Sequence, residues 1–232
     1  MSDIILFKAK KVITMDPNRP TATHIAVKGD RILAVGGADC ADQWGDVTND
    51  LSLSDFILTP GFVEGHAHMM AGAIWDFAYA GYHDRIDPDG KLWSGKVDLN
   101  SVIGDLSEYE KTLHEDQPLV GWGLDPIFLQ DERLSRKHLD QISETRPIAV
   151  LFSNFHLMCV NSKTLELVGY SNETNAEGVI KDDAGHPTGE LQEMAAMFPV
   201  MRRLGIDFRS LSQTEPAIRS YAKVCQRAGV TT

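Results

Sequence analysis

At 232 residues, with 43% hydrophobic and 24% charged side chains, the chain is long and apolar enough to bury a core, which excludes a mainly disordered polypeptide. A formal net charge of -11 excludes a general nucleic-acid surface, because phosphate contacts need clustered Lys and Arg. Cys40, Cys159 and Cys225 lie far apart with no CxxC pair, which argues against a disulfide scaffold and for a reducing compartment such as the cytoplasm.

The N-terminal stretch MSDIILFKAKKVITMD carries no basic segment ahead of a long apolar core, so it does not read as a signal peptide. No apolar run reaches membrane-spanning length. Residues 3–15, rich in β-branched side chains with partial alternation, predict a strand. THIAVKGDRILAVGG follows as two apolar runs around Gly29-Asp30, a pair suited to a tight hairpin turn. Residues 1–56 therefore read as a small β unit, with a boundary near residue 56. DFILTPGF opens a new buried strand.

Beyond that point strands and helices alternate, the pattern of a parallel sheet or barrel. QPLVGWGLD predicts a short strand ending in a Gly-rich loop. LSRKHLDQIS has Leu134, His138 or Leu139, and Ile142 at helical spacing. RPIAVLFSNFH is an apolar run of strand length, and NSKTLELVG reads as a helix with an Asn or Ser start and a Gly stop. GVIKDDAGHPTGEL predicts a hairpin around Asp183-Ala184-Gly185. EPAIRSYAKVCQRAG predicts a helix with Pro216 in its first turn and Ile218, Tyr221, Ala222, Cys225 and Ala228 on one face. Val230, Thr231 and Thr232 read as the beginning of another strand, which marks the chain as the N-terminal portion of a longer protein; the alternative is a frayed tail.

The chemistry concentrates in ILTPGFVEGHAHMM, residues 57–70. On a strand, His66 and His68 face one side and Ala67 the other. Two neutral imidazoles at a strand end make half a site for zinc or a similar divalent ion. Gly61 and Gly65 are expected to keep the backbone there unencumbered. The bare HxH pattern is weak; the apolar strand and Pro60-Gly61 in front of it give it weight.

With its β-rich lead-in, LTPGFVEGHAHM resembles the opening of the amidohydrolase superfamily. GWGLD, GVIKDDAGHPTGELQEMA and RAGVTT narrow the resemblance to amidohydrolase family 3, which includes YtcJ-like and N-substituted formamide deformylase-like hydrolases. Glu64 stands where many relatives carry Asp, and the carboxylate is kept. The resemblance implies an α/β fold: a metal-bearing (β/α)8 TIM-type barrel, incomplete in residues 57–232 and including an α/β insertion over much of 75–215. A small β-sandwich would take residues 1–56 as its first half. It implies one or two divalent ions, zinc foremost, on His66 and His68. Further His and Asp ligands would follow on strands beyond this chain.

Glu193, where relatives also carry Glu, is a candidate metal ligand or bridging carboxylate; a favourable charge near a helix N-terminus is the alternative. His156 is expected in the substrate pocket, or else as a strand-end histidine. Trp122 and Asp125 are expected to line that pocket, or else to serve as a core side chain and a loop cap. The implied reaction is hydrolysis of a non-peptide C–N bond, an amide or formamide, by a metal-activated water. The alternatives are a deaminase of the same superfamily and a non-catalytic scaffold with this fold. The expected partner is a small amide-type molecule, with a second copy of the chain as an option, and neither nucleic acid nor membrane.

Overall fold

The computed structural model describes residues 3–129 and 132–232, and the side chains of all of these except Phe208 and Arg209. The chain divides into two units: residues 1–65 together with Gly229–Thr232, and His66–Ala228.

In the first unit, β1 (Ile4–Ile13) is the central strand. It pairs antiparallel with β2 (Thr21–Lys28), which pairs with β3 (Arg31–Gly36) across the Gly29-Asp30 turn. On its other edge β1 runs parallel to β4 (Thr48–Asp50) and β5 (Ile57–Leu58). Ile4 and Leu6 alternate inward as a half-buried strand requires. A register shift between Lys8 and Val12 then carries the inward positions to Ala9 and Val12, which explains why the sequence alternates only in part. Two small clusters form here, Ile4, Leu6, Ala26 and Ala41 in one, Ala9, Val12 and Ala22 in the other.

The second unit begins with the single turn α1 (Met70–Ala73) and the short strand β6 (Ala78–Tyr79). The ribbon β7 (Arg85–Ile86) and β8 (Leu92–Trp93) follows, then α2 (Leu99–Glu110). Next come β9 (Leu119–Leu124), α3 (Arg136–Asp140), β10 (Ile148–Phe152), β11 (Leu157–Val160) and α4 (Ser162–Val168). The hairpin β12 (Val179–Lys181) and β13 (Pro187–Gln192) leads into α5 (Glu193–Arg203), α6 (Phe208–Leu211) and α7 (Glu215–Arg227).

Six strands form one mixed sheet in the order β12-β13-β11-β10-β9-β6. Only β6, β9 and β10 run parallel; the β11, β13 and β12 side is antiparallel. Every residue of β10 is buried, as an unbroken apolar strand with both faces covered must be. Ala149 and Leu151 join Trp122, Met158, Leu191 and the α5 residues Met197 and Val200 on one face. Ile148, Val150 and Phe152 meet Leu99, Val102 and Leu106 of α2 on the other. The architecture is thus a mixed α/β layer structure, and among the described residues its strands form open sheets rather than a closed barrel.

Local signals explain the boundaries. Asn161 caps α4 by accepting from the Thr164 amide, and Gly169 closes it in the left-handed conformation. Thr214 caps α7, whose Pro216 sits in the first turn. The expected apolar stripe of α7 is not a buried one. Ala217 is its only buried residue, Ile218 is 44% exposed, and the contact with α1 is made where Gly72 lies close against the Ala217 carbonyl and Tyr221. Among the described residues, no helix is long and apolar enough to cross a membrane.

Candidate functional site

The segment that delivers the histidines is anchored in the first unit. The Phe62 amide donates to the Gly229 carbonyl at 2.8 Å, the Thr231 amide to the Phe62 carbonyl at 2.9 Å, and the Glu64 amide to the Thr232 carbonyl at 2.8 Å. This is a short parallel pairing with the VTT terminus. Its closeness depends on Gly61, where a Cβ would lie 2.2 Å from Thr231 Oγ1 and 2.8 Å from its Cβ. Gly65, by contrast, faces open space. Gly61→Ala is expected to cost about 1–3 kcal/mol through overpacking, measured by urea denaturation, with part of the loss recovered when Thr231→Ala is added. An unchanged midpoint for the single variant would contradict this packing.

The pairing stops at Glu64, so His66 and His68 lie beyond the strand, in the turn that leads into α1. Their rings nevertheless converge. The two Nε2 atoms are 3.0 Å apart, and the rings stand edge to face at 74° with centroids 4.8 Å apart. Both residues are exposed. With neutral rings, one Nε2–H donates to the lone pair of the other. The same spacing suits two ligands of one ion. With metal–nitrogen bonds of about 2.0–2.1 Å, two nitrogens lie about 2.9 Å apart at a right angle and about 3.4 Å apart at the tetrahedral angle. The donor set therefore fits half of a divalent-ion site; among the described residues no group of three His, Cys, Asp or Glu side chains converges to complete it.

Glu193 and His156 meet each other. His156 Nδ1 lies 3.0 Å from Glu193 Oε2, and the Glu193 amide donates to the His156 carbonyl at 2.8 Å. The pair extends the β11–β13 ladder one step beyond Leu157 and Gln192. Glu193 is also the first residue of α5, so its carboxylate has both the helix start and an imidazole beside it.

Trp122 and Asp125 line one cavity of about 460 Å³, with Trp75, Tyr79, Tyr82 and Phe128 among its aromatic walls. Trp122 is 8% exposed and packs edge to face on Trp75 at 4.9 Å. Asp125 caps the short turn Pro126–Phe128 through the Ile127 amide and accepts from Ser153 Oγ at 3.1 Å. The turn between them depends on Gly123. It sits at φ +91° at a bulge where the β9–β10 register shifts, and a Cβ there would lie 2.8 Å from the Tyr79 ring.

A second cavity of about 710 Å³ was not foreseen. It is lined by Met70, Phe155, Met194, Met197, Phe198 and Met201, among others, with Arg202 and Asp207 as its charged residues. Its sequence signal was the run Met194, Met197 and Met201, at helical spacing on α5. Cys159 is excluded as a nucleophile: burial, then the neighbouring Glu190 charge, push its thiol far above the usual range.

The sequence profile of the amidohydrolase family matches residues 52–232. The chain belongs to the amidohydrolase family. It is similar to the protein LONG AFTER FAR-RED 3 of Arabidopsis thaliana, 26% identical over 227 residues that cover 95% of this chain and 36% of that protein. It is also similar to the N-substituted formamide deformylase of Arthrobacter pascens, 26% identical over 206 residues covering 84% of this chain and 35% of the relative. Among solved structures, an uncharacterized metal-dependent hydrolase from Pyrococcus horikoshii has the same fold over 99% of this amidohydrolase chain and 42% of its own, with a TM-score of 0.53 and 15% identity. This chain spans little more than a third of the length of either curated relative.

Proposed function

We propose that this amidohydrolase chain is the N-terminal part of a metal-dependent hydrolase that cleaves a non-peptide C–N bond, of an amide or formamide. The observation that carries the reading is the convergence of His66 and His68 Nε2 at 3.0 Å. Family membership and the printed activity of the formamide deformylase support it. In this reading the (β/α)8 barrel is completed by chain beyond Thr232. The parallel pairing of residues 62–64 with 229–232 suits two neighbouring barrel strands.

His66 and His68 would hold zinc or a similar divalent ion, one or two in number, with further ligands from outside this chain. Such an ion lowers the pKa of a water toward neutrality and polarises a carbonyl oxygen. His156, Trp122 and Asp125 are assigned to the substrate side, and Glu193 is the candidate metal ligand or bridging carboxylate. The three cysteines are free, which suits a cytoplasmic protein.

The test is direct. The zinc-loaded intact protein, offered a panel of N-acyl and N-formyl amines, is expected to release the amine at a rate that a chelator abolishes. Hydrolysis that survives complete metal removal, or confinement of activity to esters, would overturn the reading.

A further inference from the structure

Four methionines from two elements line the cavity of about 710 Å³: Met70 of α1, and Met194, Met197 and Met201 of α5. Spacings of three and four residues put the α5 trio on one helix face. The burial of that face is graded. Met197 is fully buried and Met201 nearly so, whereas Met194 and Phe198, which also line the cavity, are exposed. The cavity therefore has a closed apolar floor and an open rim. Its volume lies in the range of about 300–1,000 Å³ common for small-molecule pockets. Unbranched thioether side chains adapt their shape to the apolar body that enters.

Two charged residues line the cavity, and they are not equivalent. Arg202 follows Phe198 by one turn, is exposed, and makes no hydrogen bond or ion pair with another described residue. Asp207 is already engaged: its carboxylate accepts from the Ser210 amide at 3.3 Å and from Ser210 Oγ. Gly205 sets up this arrangement. At φ +70° it reverses the chain after α5, and the Ile206 amide returns to the Met201 carbonyl at 2.8 Å. Ile206 is thereby buried in the cluster that holds Met197 and Met201, while Arg202 keeps open donors beside the cavity. A guanidinium offers a planar fork that matches a carboxylate with two parallel hydrogen bonds. One cation suits one negative charge; a phosphate dianion would be left half-neutralised.

We propose that this cavity binds an amphipathic monocarboxylate, with its aliphatic chain on the methionine floor and its carboxylate on Arg202. The site uses none of His66, His68 and His156, so it stands or falls apart from the hydrolase reading.

The intact protein, carrying ¹³C-methyl methionine, is titrated with octanoate, hexanoate and octan-1-ol, with affinities taken from calorimetry. Octanoate is expected to bind about threefold more tightly than octanol, the worth of one exposed charge pair. It should bind about tenfold more tightly than hexanoate, the worth of two buried methylenes. Its binding should shift the methyl signals of Met194, Met197 and Met201 and leave that of Met15, in the first unit, unmoved. Arg202→Gln should bring octanoate down to the affinity of octanol. Phe198→Glu, which sets a carboxylate one turn from Arg202, should abolish the preference as well. Both replaced side chains are exposed, so the fold should tolerate the changes. Three results overturn the proposal. They are equal affinity of the wild type for octanoate and octanol, methyl shifts absent from the three methionines, and a preference that survives both substitutions, as it would if a bound metal held the carboxylate.

Discussion

Replacing His66 by alanine is expected to weaken zinc binding by about 100-fold, equivalent to about 2.7 kcal/mol. His68→Ala should do the same, because the two Nε2 atoms meet at one point from separate residues. Each supplies one of the few protein bonds that an ion could form here, and removal of either leaves a single imidazole. Both side chains are exposed, so stability should move by less than about 0.5 kcal/mol. Competition with a chelator of known affinity measures the first effect and urea unfolding the second. Undiminished zinc affinity in either variant would show that the converged rings do not bind the ion together.

Asn161→Ala is expected to be the most destabilising single change, at about 3–5 kcal/mol, a large part of the 5–15 kcal/mol typical of a domain. Asn161 is fully buried. Its Oδ1 accepts from the amides of Ile148 and Thr164 and from Thr164 Oγ1, and its Nδ2 donates to the carbonyls of Ser143 and Arg146. Ile148 keeps a second partner in Thr164 Oγ1, but the Thr164 amide and both carbonyls lose theirs. An orphaned buried group such as the Thr164 amide costs about 1–3 kcal/mol, and the half-buried Ser143 and Arg146 carbonyls add less each. Asn161→Asp should be at least as harmful, since it turns a carboxylate oxygen toward two carbonyls. Urea unfolding with an unchanged denaturant slope would isolate the stability term. A loss below about 1 kcal/mol would mean that the hydrogen-bond hub is dispensable.

The Asn start of α4 was legible from NSKTLELVG, because a cap is a local event. The hub was not, since Ser143, Arg146 and Ile148 reach Asn161 only through the fold. The strands at 119–124 and 148–152, both hairpins and the ends of α7 were equally legible, each having an apolar run or turn chemistry of its own. Residues 70–110 were expected only as part of an α/β insertion, with no individual strand or helix assigned, although Asp98 and Ser101 form a capping box at the start of the helix that carries Leu99, Val102 and Leu106. The antiparallel half of the sheet was hidden, because pairing partners are chosen by tertiary packing and not by strand composition.

At the site, His66 and His68 were expected to share one side because they would lie on a strand; pairing ends at Glu64, so their 3.0 Å approach comes from the irregular segment before α1 and not from strand alternation. The meeting of His156 with Glu193 had no local signal: 37 residues separate them, and the positive φ at Phe155 and Glu193 is invisible in side-chain identity. Trp122 and Asp125 were recognisable as a strand-to-loop turn, but not the aromatic walls around them, which come from residues 75–82 and 128.

The few hydrogen bonds joining residues 62–64 to 229–232 also constrain the order of events in folding. Bringing those ends together from an unstructured chain would close a loop of about 165 residues at an entropic cost on the order of 4–5 kcal/mol, more than so short a ladder can offset. The cost vanishes if the intervening module has already condensed and delivers its two ends side by side. Phe62 and Val230 should accordingly be among the last partners to meet, and amide exchange at Phe62, Glu64 and Thr231 should acquire protection only after β9 and β10 are protected.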